Sequence, residues 1–241
     1  MLTNDTTVTW DGREVRGRRV SRLGAIELSS TPVRPDPVQA RHAVLDAVQS
    51  RGLDAVGWTK NGEALRRRLA LAHRILGDPW PDVSEEALLA RAEEWLDFDA
   101  LAAGRGSDAT SGLRGLLGWR ESARLDEVVP ETITVPSGSR IRIDYPEPGS
   151  DTSPVLAVKL QECFGWADGP TVCDGRVRVV LHLLSPARRP LAVTDDLASF
   201  WASVYPAVRV ENRGRYSKHP WPEDPMTATP TKRTNRALRG N

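Results

Sequence analysis

At Pro130 the spacing of apolar residues changes from the helical period of about 3.6 to the strand period of about 2, and no other feature constrains the fold as strongly. Upstream, the signals are helical. Asp36 precedes Pro37, so an acid can cap a helix whose first residue needs no N–H, and this predicts a helix from Pro37 to about Arg51, stopped by Gly52. Leu65, Leu69, Ala72 and Leu76 share one helical face ahead of Gly77 and Pro79. Ser84 with Glu85 and Glu86 places a hydroxyl cap and two acids at the positive end of a third helix. A loose stretch, Ala103 to Gly112, separates these from Leu113, Leu116, Leu117 and Arg120, which carry the pattern to about Glu127.

Downstream of Pro130, Ile133 and Val135 lead into the turn Pro136-Ser137-Gly138, after which Ile141, Ile143 and Tyr145 alternate with Arg140, Arg142 and Asp144. Val155–Leu160 and Arg176–Leu184 supply further strands. A helix capped by Thr194, with Leu197, Phe200, Trp201 and Val204 on one face, is expected to end near Pro206. That spacing assigns Phe200 and Trp201 to the core.

The chain opens as β: Thr7–Trp10 and Arg13–Leu28 flank Asp11-Gly12, a dipeptide suited to a tight hairpin, and the Pro-rich connector Thr31–Asp36 follows. The fold class is therefore α+β. Four segments are expected: a β ribbon with its connector (1–36), a mainly helical region (37–127), a β-rich domain closed by a helix (128–225), and a basic flexible tail (226–241).

A length of 241 residues suits two modest units, and 39% hydrophobic with 27% charged residues is ordinary for a soluble protein. No segment approaches the roughly 18 consecutive apolar residues of a membrane helix. The polar N-terminus lacks a basic region followed by an apolar one, so a cytoplasmic location is expected. Cys163 and Cys173 lack the spacing of a metal site or disulfide framework and read as reduced, partly buried residues. His42, His73, His182 and His219 are scattered, so neither a metal nor a cofactor is expected.

A net charge of +1 says little about partners; its distribution says more. Arg13, Arg16, Arg18, Arg19 and Arg22 stand against one acid between them, Glu14. Arg16 and Arg18 share a strand face. Self-repulsion disfavours such a concentration unless phosphates or an acidic surface lie opposite. From Arg213 onward, Arg213, Arg215, Lys218, Lys232, Arg233, Arg236 and Arg239 face only Glu223 and Asp224. Tyr216 and Trp221 lie among Pro220, Pro222 and Pro225, either as a strap pinning an irregular segment or as stacking platforms for bases. The candidate nucleic-acid-binding set is thus Arg13, Arg16, Arg18, Arg19, Arg22, Arg213, Arg215, Tyr216, Lys218 and Trp221, with RNA or another nucleic acid as partner.

Catalytic signals are weak. Ser137, Ser139 or Ser185 would need a base such as His182, but no Gly-x-Ser-x-Gly elbow occurs and Ser137 suits a turn.

From about Leu113 to Arg233 the order of segments resembles the C-terminal domain of HrpB-type helicases of the DEAH/RHA-like group. The carrying segments are Leu125-Asp126-Glu127, Val135 to Tyr145, Leu160-Gln161-Glu162 with Phe164-Gly165, Leu181 to Pro190, Thr194 to Trp201, Arg213 to Tyr216, Lys218-His219 and Trp221 to Pro225. The arginine-rich ribbon resembles the end of the oligonucleotide-binding-type module that follows the motor in such helicases. The resemblance implies an accessory part that holds nucleic acid or buttresses motor domains in cis or in trans; a protein-interaction module is the alternative. No catalytic residue is expected. Gly104-Arg105-Gly106-Ser107 lacks the lysine of a phosphate loop, and Asp126-Glu127-Val128-Val129 has Val129 where the acidic motor motif ends in histidine. Since Met1 falls within what resembles a module, a fragment, a split product or a mis-assigned start is expected.

Overall fold

Gly24, at a φ of 61°, turns the chain where a single long strand from Arg13 to Leu28 is expected from sequence. The opening is consequently a three-stranded antiparallel sheet, β1 (Leu2–Trp10), β2 (Val15–Leu23) and β3 (Ile26–Val33), in that spatial order. The first part of the expected Pro-rich connector, Thr31–Val33, pairs with β2 instead, with Gly17 opposite Val33. The arginine-bearing strand is central, not an edge. The computed structural model describes residues 2–239, the side chains of Leu238 and Arg239 excepted. It divides into two units: one runs through His73 and resumes at Gly77–Ser122, the other comprises Arg74–Leu76 and the chain from Ala123.

In the first unit α1 (Pro37–Arg51) forms as its ends dictate: the Asp36 carboxylate accepts the Gln39 N–H at 2.8 Å, Gln39 reaches back to the Asp36 N–H, and Gly52 closes the helix. Thr59 caps α2 (Lys60–Leu76), which buries Leu65, Leu69 and Ala72. The helix expected after Ser84 breaks into α3 (Glu85–Ala90) and α4 (Ala92–Trp95), followed by α5 (Phe98–Ala102). The stretch expected to be loose contains the start of α6 (Ala109–Gly115), capped by Asp108. Trp58 stacks on Trp95 at 5.5 Å, and the Trp95 indole donates to the Leu88 carbonyl. α1 packs on β1 and on α5, covering one end of the sheet: Trp10 is 4% exposed. At the other end Leu2, Leu23, Ile26 and Leu28 are 51–66% exposed.

Helix α7 (Trp119–Val128) leads into the second unit. There β4 (Thr132–Thr134) and β5 (Arg140–Arg142) make the expected hairpin about Gly138, with Tyr145 donating its hydroxyl to the Pro130 carbonyl at 2.8 Å. β6 (Val155–Lys159) ends earlier than expected, because Leu160 enters a 3-10 turn. The run Arg176–Leu184 divides: β7 (Thr171–Val172) pairs with β8 (Val177–Arg178), while β9 (Val180–Leu184) joins β6 in parallel and β10 (Pro190–Thr194) antiparallel, giving the order β10-β9-β6. Leu156, Val158, Leu181 and Leu183 are the buried inner face of that sheet.

Asp196, not Thr194, caps α8 (Leu197–Ser199), because its carboxylate accepts the Ser199 N–H at 2.9 Å while the Thr194 hydroxyl braces Asp196. The helix does not stop at Pro206. A π turn, Phe200–Val204, precedes α9 (Tyr205–Arg215), and the proline lies directly after that π turn, where the regular i→i−4 ladder is already interrupted. Phe164, Phe200, Trp201 and Tyr205 form an edge-to-face aromatic core, with Trp201 and Tyr205 at 5.4 Å.

Beyond α9 the chain is held on the second unit by backbone hydrogen bonds: Gly165 N–H to the Pro225 carbonyl, Thr231 N–H to that of Gln161, and Asn235 N–H to that of Lys218. A short helix, α10 (Asn235–Arg239), follows. The expected flexible tail is therefore anchored as far as Asn235, since Thr231 is only 6% exposed; the final two residues of that expectation lie outside the described residues. Among the described residues no helix is long and apolar enough to cross a membrane.

Candidate nucleic-acid interface

Pairing of β1 with β2 sets Thr9 opposite Arg16, Thr7 opposite Arg18, and Thr3 opposite Arg22. Strand alternation puts Arg16, Arg18 and Arg22 on one face and Arg19 on the other. All four are exposed, as is Arg13 in the preceding turn. That turn is built by Asp11, whose carboxylate accepts the N–H groups of Arg13 at 2.9 Å and Glu14 at 3.0 Å. Those two bonds, Glu14 first, hold the Asp11 carboxyl below its usual range.

Tertiary structure changes the charge balance read from sequence. The Arg16 guanidinium donates to Glu14 at 2.6 Å and lies 3.5 Å from Asp11, and Arg22 lies 3.9 Å from Glu27 across β2 and β3. Three acids, rather than one, serve the cluster. Arg13, Arg18 and Arg19 make no ion pair among the described residues. They are the guanidiniums open to an external anion.

The second basic group belongs to the other unit. Arg213 and Arg215 end α9, where cations complement the helix dipole, and the Arg215 guanidinium sits over the Tyr216 ring at 5.8 Å. Arg213, Arg215 and Lys218 are exposed and Tyr216 is half-buried. Trp221 differs: it is 9% exposed, and its indole donates to the Tyr216 carbonyl while its own carbonyl accepts from Arg209 at 2.9 Å. A ring so covered cannot receive a base, so of its two readings the strap fits and the stacking platform does not. Lys232, Arg233 and Arg236 are exposed, and the Arg239 side chain lies outside the described residues.

The serines have structural work. Ser137 donates to Glu162 at 2.7 Å, and fully buried Ser185 accepts the Arg189 N–H at 3.0 Å. Neither is hydrogen-bonded to histidine among the described residues. Burial raises the Cys173 thiol to about 11, and both cysteines are buried and free.

The model of the HrpB C-terminal family, described as "ATP-dependent helicase C-terminal", matches residues 93–225, more than half of the chain. This chain belongs to the HrpB C-terminal family. The "ATP-dependent RNA helicase HrpB" of Escherichia coli strain K12 is 40% identical over 245 residues, an alignment covering 98% of this chain and 30% of that protein. The HrpB-type fold extends beyond the family-model match: the crystal structure of the E. coli DExH-box NTPase HrpB aligns with a TM-score of 0.77 at 40% identity, covering 97% of this chain and 30% of that one. A second crystal structure, of the Escherichia coli DEAH/RHA helicase HrpB, gives a TM-score of 0.68 at 39% identity over 91% of this chain and 29% of that one. The chain thus spans under a third of the HrpB relatives it matches.

Proposed function

We propose that this chain is the non-catalytic accessory region of an HrpB-type RNA helicase, and that it holds nucleic acid on the β1–β3 sheet. One observation carries the reading: the central strand presents Arg18, on the face it shares with Arg16 and Arg22, and Arg19, on the opposite face, to solvent with no acid paired to either among the described residues. A sheet fixes its charges at strand spacing, so the face bearing Arg16, Arg18 and Arg22 can meet several phosphates with little ordering cost. Guanidiniums suit that task because their planar fork matches phosphate oxygens.

The test is RNA binding by the chain carrying Arg13→Glu, Arg18→Glu and Arg19→Glu. Affinity should fall steeply, and the slope of log affinity against log salt should decrease by about 0.7 for each single-strand phosphate the variant no longer neutralises. Base preference should be unchanged, since phosphate contacts position without reading sequence. Parental affinity and slope in the variant would refute the assignment.

The exposed Leu2, Leu23, Ile26 and Leu28 favour a second reading for the far end of the sheet, in which it abuts helicase motor domains, in cis or in trans. Binding to such a motor without RNA affinity would favour that role.

A further inference from the structure

The segment Ser185-Pro186-Ala187-Arg188-Arg189 joins β9 to β10 and is held tightly from inside. Ser185 is fully buried; its N–H donates to the Arg189 carbonyl at 2.8 Å, its carbonyl accepts from Arg188 at 2.8 Å, and its hydroxyl accepts from Arg189. Within this frame Arg188 adopts a φ of 60°, the left-handed region where glycine or asparagine is the easier choice. An arginine there is not explained by the turn. Arg188 and Arg189 are both exposed and make no ion pair among the described residues.

A third cation stands beside them. Lys159, the last residue of β6, is the register partner of Leu184, which on its other side pairs with Pro190 at the start of β10. His219 is close to the same lysine: burial first, then the Lys159 ammonium, hold its imidazole below the usual value. The nearby acid, Glu162, is turned inward, 6% exposed and bonded to Ser137. The other acids of the sheet lie at its opposite end, where Asp195 and Asp196 follow β10 and Asp144 bridges Val155. Charge is therefore polarised along the three strands.

We infer that the β9–β10 loop, with Lys159 at its side, is a second anion-binding surface, shaped for the phosphates of a single nucleic-acid strand. Two consecutive arginines offer forked donors, and the buried Ser185 bonds set their backbone before any ligand arrives. The loop itself, Ser-Pro-Ala-Arg-Arg, carries no large apolar side chain for a protein partner to cover. This inference rests on the nucleic-acid reading of the chain and extends it to the second unit.

The test compares the parent, the triple-glutamate sheet variant and an Arg188→Gly, Arg189→Gln variant in binding a short labelled single-stranded RNA over a salt series. Glycine relaxes the left-handed position and glutamine keeps the backbone bond to Ser185, so the loop variant should melt at or above the parental temperature. Its RNA affinity at 0.1 M salt should fall by about fivefold, and its salt slope by about 0.7, for each phosphate that it no longer neutralises. Lys159→Gln should act in the same direction. Parental affinity and slope in the loop variant, alongside abolished binding in the sheet variant, would overturn this inference and leave the sheet assignment standing. Absence of RNA binding by the parent would overturn both. Equal, loop-dependent binding of a polyglutamate peptide would overturn the assignment to nucleic acid.

Discussion

Gly112 shows how two residue-scale effects compete. On helix propensity alone, alanine in α6 should gain about 1 kcal/mol over glycine. A Cβ at that position, however, would overlap the carbonyl oxygen of Trp95, a backbone atom that cannot swing aside. Overlap should win, making Gly112→Ala destabilising by about 1–3 kcal/mol, as for other overpacked sites. Urea unfolding followed by tryptophan fluorescence measures this; unchanged or raised stability would show that α4 and α6 have room to separate. The same scale separates the aromatics near the basic end of α9. Tyr216 keeps one ring face beneath Arg215, whereas Trp221 spends its indole on a neighbouring carbonyl.

Among the elements, the β1–β3 sheet is unevenly supported by packing. Helix α1 covers the end near Trp10, whereas at the far end Leu2, Leu23, Ile26 and Leu28 are exposed. Local opening free energy follows buried apolar contact, so amides of Ser21 and Arg22 should exchange with solvent much faster than those of Leu181 and Leu183 in β9. Equal protection of the two sheets by hydrogen exchange would mean that the first draws its stability from more than α1. For nucleic-acid binding this arrangement has a consequence: the open faces that weaken the sheet are what leave Arg18 and Arg19 accessible.

At the scale of the whole molecule, membership of the HrpB C-terminal family is joined to a sequence that holds neither a phosphate-cradling glycine loop nor the acidic metal-binding motif of the motor. In phosphoryl-transfer motors those ligands are what stabilise the transferring group. On the proposed accessory role, the purified chain should neither bind ATP nor hydrolyse it with RNA present. Turnover above background that persists in independent preparations would overturn the non-catalytic reading.

The sequence by itself determined what is decided within a turn of helix or along one strand. The Asp36–Pro37 start, the Ser84 cap, the β4–β5 hairpin and the burial of Phe200 and Trp201 all depend on neighbours a few positions away, where chain closure costs little. The ordered series of segments from Leu125 to Pro225 likewise carried the family. Tertiary structure alone decided what needs a particular register or a surface assembled from several elements, whatever the sequence separation: β3 folding back on β2, Asp11 and Glu27 reaching Arg16 and Arg22, the segment after Met226 binding Gln161, and Trp221 turning inward. Composition records how many charges a segment carries, but only register and packing determine which are neutralised and which remain facing water.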